Sequence, residues 1–267
     1  MATRRFSVWA VGLVAACNST PAAPGSPPSA PSDARGASNA REASNARVES
    51  PPPATLEWIE RLTGGAKSSD ALPMVVAMHG LGDRPESFGE LYSGFEAKAR
   101  FVLLRAPDPW GDGFSWFPFR ASDDDALRAP GIAAATGRVV TTLTALEKRY
   151  ATLGKPVVTG FSQGGMLSFA VAARYPERIR AAIPIGGALP QPLWPSLDAG
   201  SNGVRIVALH GESDALVPVG PTRMSVDALA TRGFDARLET FPGVGHGIPT
   251  PMRARYFAIL KAALQSP

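Results

Sequence analysis

Gly160-Phe161-Ser162-Gln163-Gly164 most constrains how this chain can fold, because it joins two apolar segments through a five-residue turn flanked by glycines. Before it, Pro156-Val157-Val158-Thr159 is β-branched and short, as a buried strand requires. After it, Gly165 to Arg174 reads as a buried helix. Strand and helix pass very close at such a turn, so only small residues fit beside it, and the serine is held in strained backbone with its hydroxyl exposed. The same string is also compatible with a glycine-rich βα turn whose serine merely caps the helix.

The rest of the chain extends this pattern. Strands are expected near Thr55–Arg61, Met74–Met78, Phe101–Arg105, Pro156–Thr159, Ala181–Ile185, Val204–Leu209 and Ala236–Phe241, with helices between most of them. One helix places Ile132, Val139, Leu143 and Leu146 on a single face, and the last buries Met252, Tyr256, Leu260 and Leu264. Alternating strands and helices call for a mostly parallel sheet covered on both faces, with ligands beyond the strand carboxyl ends. No insertion is long enough for a separate cap domain. The longest irregular stretch, Ala106 to Pro130, holds Trp110, Phe114, Trp116, Phe117 and Phe119, which either line a pocket or pack the loop onto the sheet.

An exposed serine becomes a nucleophile only with a base, and the base needs an orienting acid. The chain has three histidines, and only His210 and His246 follow Ser162. His246 lies between glycines in a loop after the last strand and is the candidate base. His210 closes an apolar strand and is expected to hydrogen-bond within its own turn. Asp214 is the candidate acid, with Glu212 as the alternative. His79 opens the loop His79-Gly80-Leu81-Gly82-Asp83 and is expected to fix it. Glycines there allow close backbone approach to a carbonyl, so the Leu81 and Gln163 N–H groups are candidate oxyanion donors. Asp123-Asp124-Asp125 reads as a solvated helix start rather than a cation site, and no metal ligand set is expected.

These segments together resemble the phospholipase/carboxylesterase family of α/β-hydrolases, which includes bacterial carboxylesterases and acyl-protein thioesterases. The matching stretches are His79–Asp83, Ser115-Trp116-Phe117, Gly160–Gly165, His210–Asp214 with Val217-Pro218, and Gly245-His246-Gly247. The resemblance implies a Ser162/Asp214/His246 triad, oxyanion donors at Leu81 and Gln163, and Trp116 and Phe117 as pocket residues with Leu81. It implies cofactor-free cleavage of an ester or thioester. Ala215 departs from the proline common in the family. Two other functions remain open at this level: a polyester or feruloyl-type extracellular esterase, and a non-catalytic surface binding protein.

The amino terminus reads differently. Arg4-Arg5 precede an apolar run from Phe6 to Ala16, which is too short to span a bilayer and suits an export signal. Val14-Ala15-Ala16-Cys17 resembles the lipobox of bacterial lipoproteins, so Cys17, the single cysteine, is the expected lipidation site. The organisation expected is a signal segment at 1–17, a Pro/Ala/Ser-rich disordered tether at 18–54 and a catalytic domain at 55–267. Such a tether reaches about 30–35 Å. The expected location is the bacterial envelope, anchored by lipid, or secreted if Cys17 is unmodified. The formal net charge is +4 with no basic stripe, which argues against nucleic acid as a partner.

Overall fold

Seven strands build the central sheet, and their register follows from the apolar runs. In chain order they are β1 (Trp58–Thr63), β2 (Met74–Met78), β3 (Ala99–Leu104), β6 (Val157–Phe161), β7 (Ala181–Ile185), β8 (Arg205–Gly211) and β9 (Asp235–Phe241). The spatial order is β1-β3-β2-β6-β7-β8-β9. Only β1 runs antiparallel to its neighbour; the other pairings are parallel. The computed structural model describes residues 54–119 and 124–265. Residues from Ser50 onward form one compact unit. The signal segment, Cys17, the tether up to residue 53 and Asp123 lie outside the described residues.

Alternation along the buried strands sorts side chains to two cores. Met74, Val76 and Met78 face one, while Val75 and Ala77 face the other. The first core is closed by α2 (Asp125–Arg149), α3 (Gln163–Arg174) and α4 (Val219–Thr231), through Ile132, Val139, Leu143, Leu167, Phe169 and Leu229. The second is closed by α1 (Pro85–Gly89) and α5 (Thr250–Gln265), through Phe88, Met252, Tyr256 and Leu260. Both faces of the sheet are therefore covered, as continuous apolar strands demand.

Two local features differ from the sequence expectation. The stretch after β3 is not wholly irregular: β4 (Asp108–Trp110) and β5 (Gly113–Ser115) form an antiparallel hairpin. And the irregular stretch expected to reach Pro130 ends before it, because α2 begins at Asp125, within the acidic cluster read as a helix start. The Asp124 carboxylate caps it by accepting from the Leu127 N–H at 2.9 Å. Pro130 lies in the second turn, where its missing N–H forfeits a single helical bond.

Candidate active site

Ser162 sits between β6 and α3 with φ 57° and ψ −115°, in a region that residues with a Cβ seldom adopt. The conformation is locked from both sides. The Ser162 N–H donates to Ile185 O at 2.9 Å, and the Met166 N–H donates to Ser162 O at 3.0 Å. Glycine is obligatory around it. A Cβ on Gly164 would lie 2.0 Å from Met78 O, and one on Gly160 would lie 2.4 Å from Gly164 O. A Cβ on Gly80 would come 3.5 Å from the Ser162 Cβ, so the loop after β2 stands directly beside the serine. Gln163 opens α3, and the first N–H groups of a helix have no intrahelical acceptor.

Asp214 and His246 meet beyond the carboxyl ends of β8 and β9. Paired strands bring the two loops together, and three contacts fix their register. The Glu212 N–H donates to Phe241 O at 3.0 Å, the Ser213 N–H donates to Val244 O at 2.9 Å, and a Cβ on Gly211 would lie 2.3 Å from Val244 O. His246 Nδ1 then lies 2.7 Å from Asp214 Oδ2. The imidazole is tilted against Phe161, the residue before the serine, with ring centroids 4.6 Å apart. Its Cε1 is 3.6 Å from where a Cβ on Gly186 would stand.

The Asp214 side chain is almost fully buried, at 1 % exposure. Burial alone would raise its pKa. Hydrogen bonds from His210, His246 and the Val217 N–H, with the charge of His246, outweigh that and hold it well below the usual carboxylate range. Its Oδ1 accepts from the N–H groups of Leu216 at 3.0 Å and Val217 at 2.9 Å. Glu212 is turned away and accepts from the Thr240 hydroxyl at 2.7 Å on an exposed edge. His210 is fully buried, with Nε2 2.8 Å from Val217 O and Nδ1 2.9 Å from Thr222 Oγ1.

His79 does not approach Asp214 or Asp83 by hydrogen bond; it ties two loops. Its Nε2 accepts from the Ala106 N–H at 3.2 Å, so the ring proton is on Nδ1, which donates to Gly80 O at 2.7 Å. Burial lowers its pKa and keeps this neutral tautomer. The hairpin that the sequence did not disclose braces the same loop. The Gly82 N–H donates to Phe114 O at 2.9 Å, the Phe114 N–H donates to Asp83 O at 3.1 Å, and the Trp116 indole N–H donates to His79 O at 2.8 Å.

Trp116 and Phe117, expected as pocket residues, are placed in the first core with 2 % and 1 % exposure. They present no open surface to a ligand in this arrangement. The reason lies in Gly131, whose missing Cβ leaves room for Phe117, and in Gln163. The Gln163 side-chain oxygen accepts from the Trp116 N–H at 3.0 Å, and its nitrogen donates to Phe117 O at 3.0 Å. The sequence marks Gln163 only by its backbone N–H, because the side-chain clamp depends on how residues 115–117 approach α3 in the fold. Leu81 is half-buried in the loop, and Trp110, 47 % exposed, lies against the next residue, 3.5 Å from where a Cβ on Gly82 would lie.

The phospholipase/carboxylesterase family model matches residues 65–257, which takes in all of these loops. The chain belongs to that family. It is a serine hydrolase that acts on ester bonds. Esterase YpfH of Escherichia coli (strain K12) is 24 % identical over 196 residues, covering 71 % of this chain and 81 % of that protein. Acyl-protein thioesterase 1 homolog 1 of Dictyostelium discoideum is 23 % identical over 185 residues, covering 64 % and 82 %. Among solved structures, that of esterase PE8 superposes with a TM-score of 0.68 at 26 % identity, covering 79 % of this chain and all of PE8. The family's fold is thus present without a separate cap, as an α/β-hydrolase with helices on both faces. Among the described residues no cluster of His, Cys, Asp and Glu could hold a metal ion.

Proposed function

We propose that this chain is a carboxylesterase that hydrolyses short- to medium-chain carboxylic esters or thioesters through an acyl-enzyme at Ser162. The observation that carries the reading is the 2.7 Å contact of His246 Nδ1 with buried Asp214, on a loop packed against the strained serine turn. Nδ1 is committed to the carboxylate, so Nε2 is the nitrogen that takes the Ser162 hydroxyl proton as Oγ attacks the carbonyl. Asp214 holds the ring in that tautomer and stabilises the imidazolium. The developing oxyanion is met by the N–H groups of Gln163 and Leu81, the first aided by the positive end of α3. The imidazolium returns its proton to the leaving alcohol or thiol, and water, activated by the same nitrogen, releases the acid. No cofactor enters this sequence.

Chain length follows from exposure. No cap encloses a long acyl chain, but Leu81 and Trp110 offer partly exposed apolar surface on and against the loop whose Gly80 stands next to the serine. Each buried methylene adds about 0.8 kcal/mol at most, so kcat/KM rises over the first few carbons and then levels off. The open, half-exposed Trp110 also suits a bulky aryl ester of the feruloyl or polyester kind as a second reading. A panel of p-nitrophenyl alkanoates beside an aryl ester separates the two. A serine-directed phosphonate should label the wild type and not Ser162→Ala. Failure to label the wild type would favour a non-catalytic binding protein.

The site of action is the second part of the proposal. The signal-like run ending in Cys17 supports export and lipid attachment at that residue, placing the enzyme on the bacterial envelope. Esters met outside the cytosol are then its substrates, and a lipid anchor is its link to the membrane.

A further inference from the structure

His210 is a buried imidazole that the proposed reaction leaves unused, and it touches the carboxylate oxygen on which that reaction depends. Its Nε2 lies 3.3 Å from Asp214 Oδ2, the same oxygen that His246 Nδ1 meets at 2.7 Å. The two histidines therefore converge on a single oxygen, from β8 and from the loop after β9. Oδ1 is already saturated by the Leu216 and Val217 N–H groups. Val217 O can only accept, so the proton of the 2.8 Å contact belongs to His210 Nε2, and that N–H is shared between Val217 O and Asp214 Oδ2.

The other side of the ring is fixed as well. Nδ1 faces the Thr222 hydroxyl of α4 at 2.9 Å, and the same hydroxyl lies 2.9 Å from Gly187 O. Gly187 packs on the serine turn, where its Cβ would lie 2.9 Å from Ser162 O. With the ring proton on Nε2, the Thr222 hydroxyl donates its single proton to Nδ1, so the hydrogen-bonded chain runs from Thr222 through His210 to Asp214 and His246. Among the described residues, the ionisable groups in contact with the Asp214 carboxylate are His210 and His246. Glu212 is turned to Thr240, and α4 contributes the neutral Thr222.

We propose that His210 is a positioning residue for the ester-cleaving reaction: its Nε2–H fixes Asp214 Oδ2 in the direction of His246 and draws off part of the carboxylate's charge. The proposal rests on the Ser162/His246/Asp214 reading. Its consequence is a division of labour. A carboxylate that already accepts one hydrogen bond on Oδ2 attracts the His246 proton less than a free one would, so the base stays available at lower pH. Orientation is the second contribution. The carboxylate cannot rotate while both oxygens are held, and a misplacement of about 1 Å in a catalytic array costs on the order of 100-fold in rate.

The experiment is the pH profile of p-nitrophenyl ester hydrolysis by the full chain carrying His210→Asn, His210→Gln or Thr222→Val. Asparagine can occupy the Nδ1 position but reaches neither Val217 O nor Asp214; glutamine can place a donor near Nε2. His210→Asn should lower kcat by about 10- to 100-fold with KM little changed, and should move the acid limb of kcat/KM to higher pH. His210→Gln should restore part of the rate and return the limb toward wild type. Thr222→Val, which removes the hydroxyl at Nδ1 and spares the Val217 O partner of Nε2, should move the limb the same way by less. In an Asp214→Asn background, His210→Asn should add little, since both act through one carboxylate. An unmoved acid limb in both His210→Asn and Thr222→Val overturns the proposal, as does a full additional loss in the Asp214→Asn background. A mild effect of Asp214→Asn by itself overturns the triad reading instead.

Discussion

Asp214 is where burial and charge oppose each other most directly, and the balance makes predictions. Its carboxyl is held below its ordinary pKa by hydrogen bonds despite burial, so it is ionised at neutral pH. A depressed folded-state pKa gives stability that is present above the unfolded value and is lost as pH falls through the folded one. The melting temperature should therefore fall below about pH 4, and Asp214→Asn should remove part of that acid dependence while lowering stability at neutral pH. Thermal melts from pH 3 to 8 check this. In kcat, Asp214→Asn should cost on the order of 10⁴ because the amide favours the wrong imidazole tautomer. Glu212→Gln should cost less than about 3-fold, its carboxylate being engaged with Thr240. The reverse ranking in steady-state assays would move the acid to Glu212. Ser162, Asp214 and His246 could be picked out as candidates because they follow in the order serine, acid, histidine, each in a turn after a strand. That His210 would share Oδ2 could not, because it depends on how the turn from 211 to 217 folds back on its own strand.

At the scale of elements, the strands were the most legible part. Met74–Met78 and Ala181–Ile185 were delimited correctly because uninterrupted apolar runs with polar ends leave one reading. The β4–β5 hairpin was not, since three-residue strands carry almost no periodicity and β4 is exposed throughout. Its importance lies in what it holds. Trp116 donates to His79 O, so Trp116→Phe should loosen the loop that carries the Leu81 N–H. The expected result is a fall of about 5- to 10-fold in kcat, on the scale of one lost hydrogen bond of about 1–1.5 kcal/mol. The loss should be equal for acetate, butyrate and octanoate esters, because the ring lies in the core; a loss that grows with chain length would return Trp116 to the acyl pocket. The serine turn has less tolerance. Gly164→Ala would drive a Cβ to 2.0 Å from the Met78 carbonyl oxygen. Backbone cannot yield there without separating β2 from β6, so destabilisation of at least about 2–3 kcal/mol is expected, readable as a lower urea midpoint.

At the scale of the whole molecule, the residues from Ser50 onward make a unit with its own two cores, and the family match lies wholly inside it. Every side chain in the proposed reaction belongs to that unit. Nothing in the ester chemistry therefore requires residues 1–49, and a chain beginning at Ser50 should keep wild-type kcat/KM on a soluble ester. What the amino-terminal residues should change is where the enzyme is found. Phe6 to Ala16 is too short to anchor by spanning a bilayer, and among the described residues no helix is long and apolar enough to cross one. If the mature chain begins at a lipidated Cys17, membrane binding rests on the acyl chains alone. One chain holds only marginally, whereas several on one terminus hold stably. Cys17→Ser should thus shift active enzyme to the soluble fraction, or leave an unprocessed precursor, with specific activity in detergent unchanged. Mass spectrometry of the wild-type terminus decides between anchoring and release. Acyl chains on Cys17 support the anchored esterase, and an unmodified Cys17, or a terminus beyond it, makes the same enzyme a secreted one.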